Sequence, residues 1–301
     1  MSEPAPRVRL RAGSHVLDLG ARPLLMGIVN ASADSFSDGG EHPTLAAQVR
    51  LGEELLVAGA DILDVGGESA TTGRPPVEAA REAELVAPLV ERLVGELGAL
   101  VSVDTYKPAV ARAAIAAGAS IVNDVSGLRD PALAEVCVQT GAALVVMHTR
   151  AAPRERLQDP DLYADVTEDV LAFLSERISL ATAAGVAAEQ LIVDPGPDFA
   201  KTPAQTIAML REVGRLHELG RPLLMAISRK DFIGALTTRA PRERLAGTLA
   251  ALAYGVDAGA HIFRVHDVAA AADYLAVRAA LMGQGAPSRD LALAEELRHQ
   301  R

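Results

Sequence analysis

Eight times the chain runs through a short stretch of Leu, Ile, Val and Ala and then stops on a polar or glycine-rich group. The runs are LLMGIVN (24–30), DILDVGG (61–67), LVSVDT (100–105), SIVND (120–124), ALVVMH (143–148), LIVDPG (191–196), LLMAISRK (223–230) and HIFRVHD (261–267). Apolar runs of this length without polar alternation are strands buried on both faces, as in a parallel sheet. Between them lie Ala-, Leu-, Glu- and Arg-rich segments of helical period. The predicted helices cover about 44–59, 77–96, 108–117, 131–140, 161–184, 203–219, 242–258 and 268–283. Gly118, Gly141, Gly185 and Gly220 stand where a helix ends in a left-handed residue. Strand then helix, repeated eight times, predicts an α/β protein of the (β/α)8, or TIM-barrel, class.

Ahead of the first run, residues 8–20 (VRLRAGSHVLDLG) read as a short β-hairpin turning at Gly13-Ser14. Its position suggests a plug for the amino-terminal mouth of the barrel. No Pro/Gly/Ser-rich linker interrupts the eight units. The expectation is therefore one domain over 1–301, with the barrel at about 22–284 and a flexible tail at about 285–301.

Aromatic residues are only 3% and there is no Trp, so Ala, Val and Leu must do the packing. A net charge of −10 leaves no basic stripe, which argues against nucleic acid or an anionic membrane as partner. The amino terminus has no apolar signal core and no long apolar run follows. The one cysteine, Cys137, falls on a helix and is expected to pack as a small buried hydrophobe. Together these features predict a cytoplasmic location.

Active sites of such barrels lie at the carboxyl ends of the strands, so the polar endings are the candidate site. Side chains two apart on a strand share a face. Counting back from each ending gives an inward set of Asn30, Asp104, Asn123, Met147, Asp194, Ser228 with Lys230, and Arg264 with His266. So many polar groups do not make a packed core, because buried charges must pair with each other or meet a ligand. Carboxylates, amides and a lysine suit a flat heterocycle whose edge alternates donors and acceptors. Arg264 and His266, just before a helix, suit an anion. Asn30, with acids of the loop that follows, suits a hard cation such as Mg²⁺. Three connections at this rim, 31–43, 66–77 and 149–160, are longer than the fold requires and read as binding loops or lids.

Taken in order, NASADSFSDGG (30–40), DVGGES (64–69), SVDT (102–105), NDVSG (123–127), MH (147–148), DPGPDFAK (194–201), SRK (228–230) and RVHDV (264–268) resemble the successive motifs of the dihydropteroate synthase family. The resemblance implies a transferase of folate biosynthesis. It would join 6-hydroxymethyl-7,8-dihydropterin pyrophosphate to p-aminobenzoate, giving 7,8-dihydropteroate and pyrophosphate. It further implies that Asp104, Asn123, Met147, Asp194, Lys230 and Arg264 bind the pterin, with Lys230, Arg264 and His266 as catalytic residues. Asn30, Arg264 and His266 would surround the pyrophosphate, and Asn30 would bind Mg²⁺. Ser69, Thr71, Arg74, Pro75, Phe199 and Ser228 would form the p-aminobenzoate site. A homodimer through helices late in the chain is also implied. Two alternatives share the pterin pocket: a pterin-binding paralogue with altered or lost aryl-substrate chemistry, and a pterin-dependent methyltransferase.

The chain departs from the family pattern at four places, the smallest being Ala33 in the first loop, where Pro or Asp is common. After DVGGES the usual Thr-Arg-Pro-Gly gives way to ATTGRPPV (70–77), which displaces Arg74-Pro75 along the loop. In DPGPDFAK, Pro197 and Asp198 replace an aromatic and a glycine. Asp198 is expected to be solvated, since an unpaired carboxylate sits badly beside anionic substrates. After the fifth run, MHTRAAPRE adds Arg150 and Arg154, expected as surface charge.

Overall fold

A computed structural model describes residues 6–31, 44–68, 76–284, 288 and 290–298. The hairpin comes first, with β1 (Val8–Ala12) antiparallel to β2 (His15–Leu19) and Ala12 opposite His15. Gly13 opens the two-residue turn at a φ of 60°, a left-handed conformation that glycine adopts without steric cost.

Eight strands follow: β3 (Leu24–Asn30), β4 (Ile62–Gly66), β5 (Val101–Asp104), β6 (Ile121–Asp124), β7 (Ala143–Met147), β8 (Leu191–Asp194), β9 (Leu224–Met225) and β10 (Ile262–Val265). They form one parallel sheet in the order β8-β7-β6-β5-β4-β3-β10-β9. The two ends of this order meet through the parallel bridge Val193–Leu223, where the Val193 N–H donates to the Pro222 carbonyl at 2.9 Å. The sheet is thereby closed as the predicted barrel.

The apolar runs are buried on both faces because alternate residues enter two different cores. Leu25, Val29, Leu63, Val65, Val101, Val103, Leu144 and Val193 face outward into a shell shared with the helices. Met26, Ile62, Ile121, Val145, Ile192, Leu224 and Ile262 fill the barrel interior together with Leu10, Ala12 and Leu19 of the hairpin. The hairpin therefore stops the amino-terminal end of the barrel, and polar side chains are left for the other end.

The helical ring comprises α1 (Leu45–Val57), α2 (Ala79–Leu97), α3 (Pro108–Ala116), α4 (Ala132–Thr140), α5 (Val166–Ala183), α6 (Pro203–Arg211), α7 (Asp231–Thr237), α8 (Leu245–Asp257) and α9 (Val268–Leu281). Three places differ from expectation. The helix expected over 203–219 is α at Pro203–Arg211 and a 3₁₀ turn at Val213–Leu219. The one expected at 161 starts at Val166, where the Asp165 carboxylate caps the N–H groups of Thr167 and Glu168 at 2.8 and 3.0 Å. Helix α7 was not expected at all. The run 223–230 pairs as a strand only over Leu224–Met225, and Arg229 turns left-handed with a φ of 59°. Its N–H is taken by Thr248 Oγ1 at 3.0 Å and its carbonyl by Arg244 Nη1 at 2.8 Å, which fixes the bend. The expected tail falls partly outside the described residues; its described part contains a 3₁₀ turn at Glu295–Leu297.

Candidate active site at the carboxyl rim of the barrel

Arg264 organises the rim. From β10 its Nε donates to Asp64 Oδ2 at 2.6 Å and its Nη2 to Asp104 Oδ2 at 2.8 Å. Asn123 Nδ2 donates to the same Asp64 oxygen at 3.1 Å. Four strands, β4, β5, β6 and β10, are thus tied at one level by a guanidinium, two carboxylates and an amide. Asp64 has no exposed surface, and among the described residues its other oxygen, Oδ1, has no hydrogen-bond partner. Burial of this group pushes the Asp104 carboxyl up to about 7; Arg264 opposes the shift and Asp64 adds to it. The same acids hold Arg264 above its ordinary value against the cost of its own burial.

Asp194 ends β8 with Oδ1 accepting the Gly196 N–H at 2.7 Å. Burial pushes it up to about 6, countered by that backbone bond and by Lys230, Lys201 and Arg264. Lys230 occupies the N-cap position of α7 without a side-chain capping bond, its ammonium 4.4 Å from the centre of the Phe199 ring. Desolvation lowers the Lys230 pKa, opposed by Asp198 and Asp194. Met147 is buried beside Gly196: a Cβ added to that glycine would lie 3.1 Å from Met147 Cγ.

On the anion side, Ser228 Oγ lies 3.0 Å from His266 Nδ1 and accepts the His266 N–H at 3.2 Å. Desolvation, then Arg264 and Arg229, pull the His266 ring down to about 4. The residue is exposed, and with its value lowered the ring is neutral at pH 7. Asn30 ends β3, and among the described residues its side-chain amide bonds to nothing; only its carbonyl is used, by Gln48 at 3.2 Å. A neutral hard oxygen of this kind suits Mg²⁺. Among the described residues no group of three or more His, Cys, Asp or Glu could hold a metal. Ser69, Thr71, Arg74 and Pro75 lie outside the described residues, as does the first loop from 32 to 43.

The Pterin_bind family model, described as pterin binding enzyme, matches residues 26–266. A dihydropteroate synthase of Synechocystis sp. is 40% identical over 274 residues, covering 90% of this chain and 94% of that protein. The chain belongs to the dihydropteroate synthases of the pterin-binding enzyme family. The Xanthomonas albilineans dihydropteroate synthase solved with 4-aminobenzoic acid superposes with a TM-score of 0.85 at 43% identity, covering 94% of this chain and 100% of that one. The same organism's enzyme in complex with 7,8-dihydropteroate gives 0.82 at 42% identity, over 93% and 100% of the two chains.

Against that family frame, two readings of the departures are corrected. Asp198 is not solvated: it accepts from the Asp231 N–H at 2.5 Å and from Thr206 Oγ1 at 3.0 Å, fastening the DPGPDFAK loop to α6 and α7. Arg150 is surface charge as expected, but paired, whereas Arg154 is largely buried. Arg150 forms a two-toothed pair with Asp169 at 2.9 and 2.7 Å, and Arg154 reaches Glu68 at 3.0 Å. Glu68 also accepts from Lys107 Nζ at 2.7 Å, the Val77 N–H at 2.7 Å and Tyr106 Oη at 3.0 Å. The base of the second loop is therefore held by Arg154 of the third loop and by Tyr106 and Lys107 after β5.

Three further groups escaped the count from the strand ends. Asp64 lies mid-strand, two residues before Gly66; a carboxylate inside an apolar run is itself the signal, since it must be paired. Glu68 is the second acid of DVGGES, and nothing local distinguishes it from a solvated one. Lys201 closes DPGPDFAK and is entirely buried, although lysine after a loop reads as surface.

Proposed function

We propose that this chain condenses 6-hydroxymethyl-7,8-dihydropterin pyrophosphate with p-aminobenzoate to give 7,8-dihydropteroate and pyrophosphate. The observation that carries the reading is the rim itself. Asp64, Asp104, Asp194, Asn123, Lys230 and Arg264 converge in a barrel whose relatives were solved with 4-aminobenzoic acid and with 7,8-dihydropteroate.

Asp104, Asn123, Asp194 and Lys230 hold the donor and acceptor edge of the pterin, Met147 lines its face and Arg264 stacks on it. A carboxylate accepts two N–H groups of a guanidine-like edge, which fixes the ring in plane. Arg264, neutral His266 and Asn30 surround the pyrophosphate; Ser228 and Phe199, with Ser69, Thr71, Arg74 and Pro75, receive p-aminobenzoate. The bond between the methylene carbon and the pyrophosphate oxygen breaks, and its electron pair leaves with pyrophosphate. The electron-rich dihydropterin shares the positive charge left on the methylene. The arylamine nitrogen forms the new C–N bond and its proton passes to solvent. An aniline nitrogen is nucleophilic at neutral pH, so positioning and charge stabilisation suffice. Mg²⁺ held by Asn30 and substrate oxygens would neutralise charge on the departing pyrophosphate. Arg264 and His266 are on the anion side, which a mere pterin binder or a methyltransferase does not require.

The reading extends to a homodimer through late helices. Leu236, Tyr254, Val277 and Leu281 of α7, α8 and α9 are exposed apolar side chains, the composition of an interface. A cytoplasmic location belongs to the same reading; no described helix is long and apolar enough to cross a membrane. The test is product formation from the two substrates with Mg²⁺ present or chelated, with sedimentation reporting the dimer.

A further inference from the structure

Lys201 is buried with no exposed surface. Its ammonium donates to the Gly196 carbonyl at 3.0 Å and the Phe199 carbonyl at 3.1 Å, and meets His148 Nδ1 at 2.7 Å. Three acceptors saturate its three N–H groups. The carbonyls belong to a turn in which Gly196, Asp198 and Ala200 take φ of 62°, 66° and 51°. Left-handed non-glycine residues persist only where the surroundings over-determine them. Here Tyr163 Oη donates to the Ala200 carbonyl at 2.8 Å and Asp198 is fastened to α6 and α7. A reciprocal Thr202–Gln205 capping box starts α6 directly after the lysine.

Behind Lys201 runs a chain of polar groups. With Nδ1 accepting from the lysine, the His148 proton sits on Nε2, 2.9 Å from Asp169 Oδ1. Asp169 in turn takes the two N–H groups of Arg150. Desolvation pulls Lys201 down to about 7, against Asp194, Asp169 and Asp198, while Lys230 adds to the fall. Removing this group alone would leave two buried carbonyls and the His148 Nδ1 without their donor. What a lysine supplies at this place is fixed geometry for the turn.

We propose that Lys201 is a positioning residue for the aryl substrate: by tying the Gly196 and Phe199 carbonyls it sets the Phe199 ring against the Lys230 ammonium. It acts from below the rim. The proposal rests on the reading of function given above and adds to it a residue that touches neither substrate.

The test is steady-state kinetics of Lys201→Met, with the unmodified protein assayed first. If the unmodified protein makes no dihydropteroate, the reading of function fails before any variant is made. Given turnover, Lys201→Met is expected to raise KM for p-aminobenzoate at least about tenfold. KM for the dihydropterin pyrophosphate should stay within about threefold, with unfolding still cooperative. Equal rises in both KM values, or an unchanged KM for p-aminobenzoate, would overturn the proposal. Should Lys201→Met fail to fold, Lys201→Gln, which keeps a polar end but is too short to span both carbonyls, is judged by the same split.

Discussion

Arg264 Nε and Asp64 Oδ2 lie 2.6 Å apart across the barrel interior, and the aspartate has no exposed surface. The pair joins strands 200 positions apart in sequence and holds the guanidinium edge-on at the level of Asp104 and Asn123. Loss of one partner leaves a buried charge uncompensated, which is far costlier than never having the pair. Asp64→Asn keeps the shape and removes the charge. The expected stability loss in urea titration is about 3 kcal/mol, with a weaker grip on the pterin substrate. A variant as stable as the parent would show that Asp104 alone fixes Arg264.

The pH dependence of Asp104 follows from its environment. Burial raises it from the ordinary 3.8 to about 7, so between those values the folded state binds more protons than the unfolded chain. Stability from this group is complete below the unfolded value and is lost as pH rises through the folded one. The difference in unfolding free energy between the parent and Asp104→Asn should therefore fall from about pH 4 to about pH 7. A difference that climbs over that window would mean Arg264 outweighs burial.

The Lys230 ammonium lies over the Phe199 ring and feels the charges of Asp198 and Asp194. Lys230→Ala should lower kcat/KM by about a thousandfold, the scale of one lost preorganised charge. The barrel should stay folded, because α7 keeps its backbone cap. Circular dichroism checks the fold and product formation the rate. An unchanged kcat/KM would remove Lys230 from the site.

Gly196 takes a φ of 62°, and a Cβ there would lie 2.1 Å from the His148 carbonyl oxygen. Neither the conformation nor the contact can relax cheaply, since the neighbour is backbone. Gly196→Ala is expected to cost about 3 kcal/mol or more and to disturb Asp194, whose Oδ1 accepts the Gly196 N–H. Chemical denaturation reads the loss; a neutral substitution would mean that the turn is softer than its bonds imply.

The fold was legible because both faces of each strand are buried, so the apolar runs carry no ambiguity of face. The inward set was legible for the same reason: alternation from Arg264 or Asp194 is a fixed geometric rule. Asp64 was missed because the count began at strand ends and it sits one layer deeper. Lys201 and Glu68 were missed because their roles depend on partners 53 and 39 positions away, His148 and Lys107. Residue type and local spacing do not encode such contacts. Asp198 was misjudged likewise, since its partners on α6 and α7 become neighbours only when the loop folds left-handed. The short β9 and the bend at Arg229 come from Thr248 and Arg244, both outside the run.

The most direct measurement is chromatographic detection of 7,8-dihydropteroate when the purified protein meets 6-hydroxymethyl-7,8-dihydropterin pyrophosphate, p-aminobenzoate and Mg²⁺, with pyrophosphate release followed in parallel. The account predicts one pyrophosphate released per dihydropteroate formed, with product formation requiring p-aminobenzoate. Tight pterin binding with no dihydropteroate formed would contradict it.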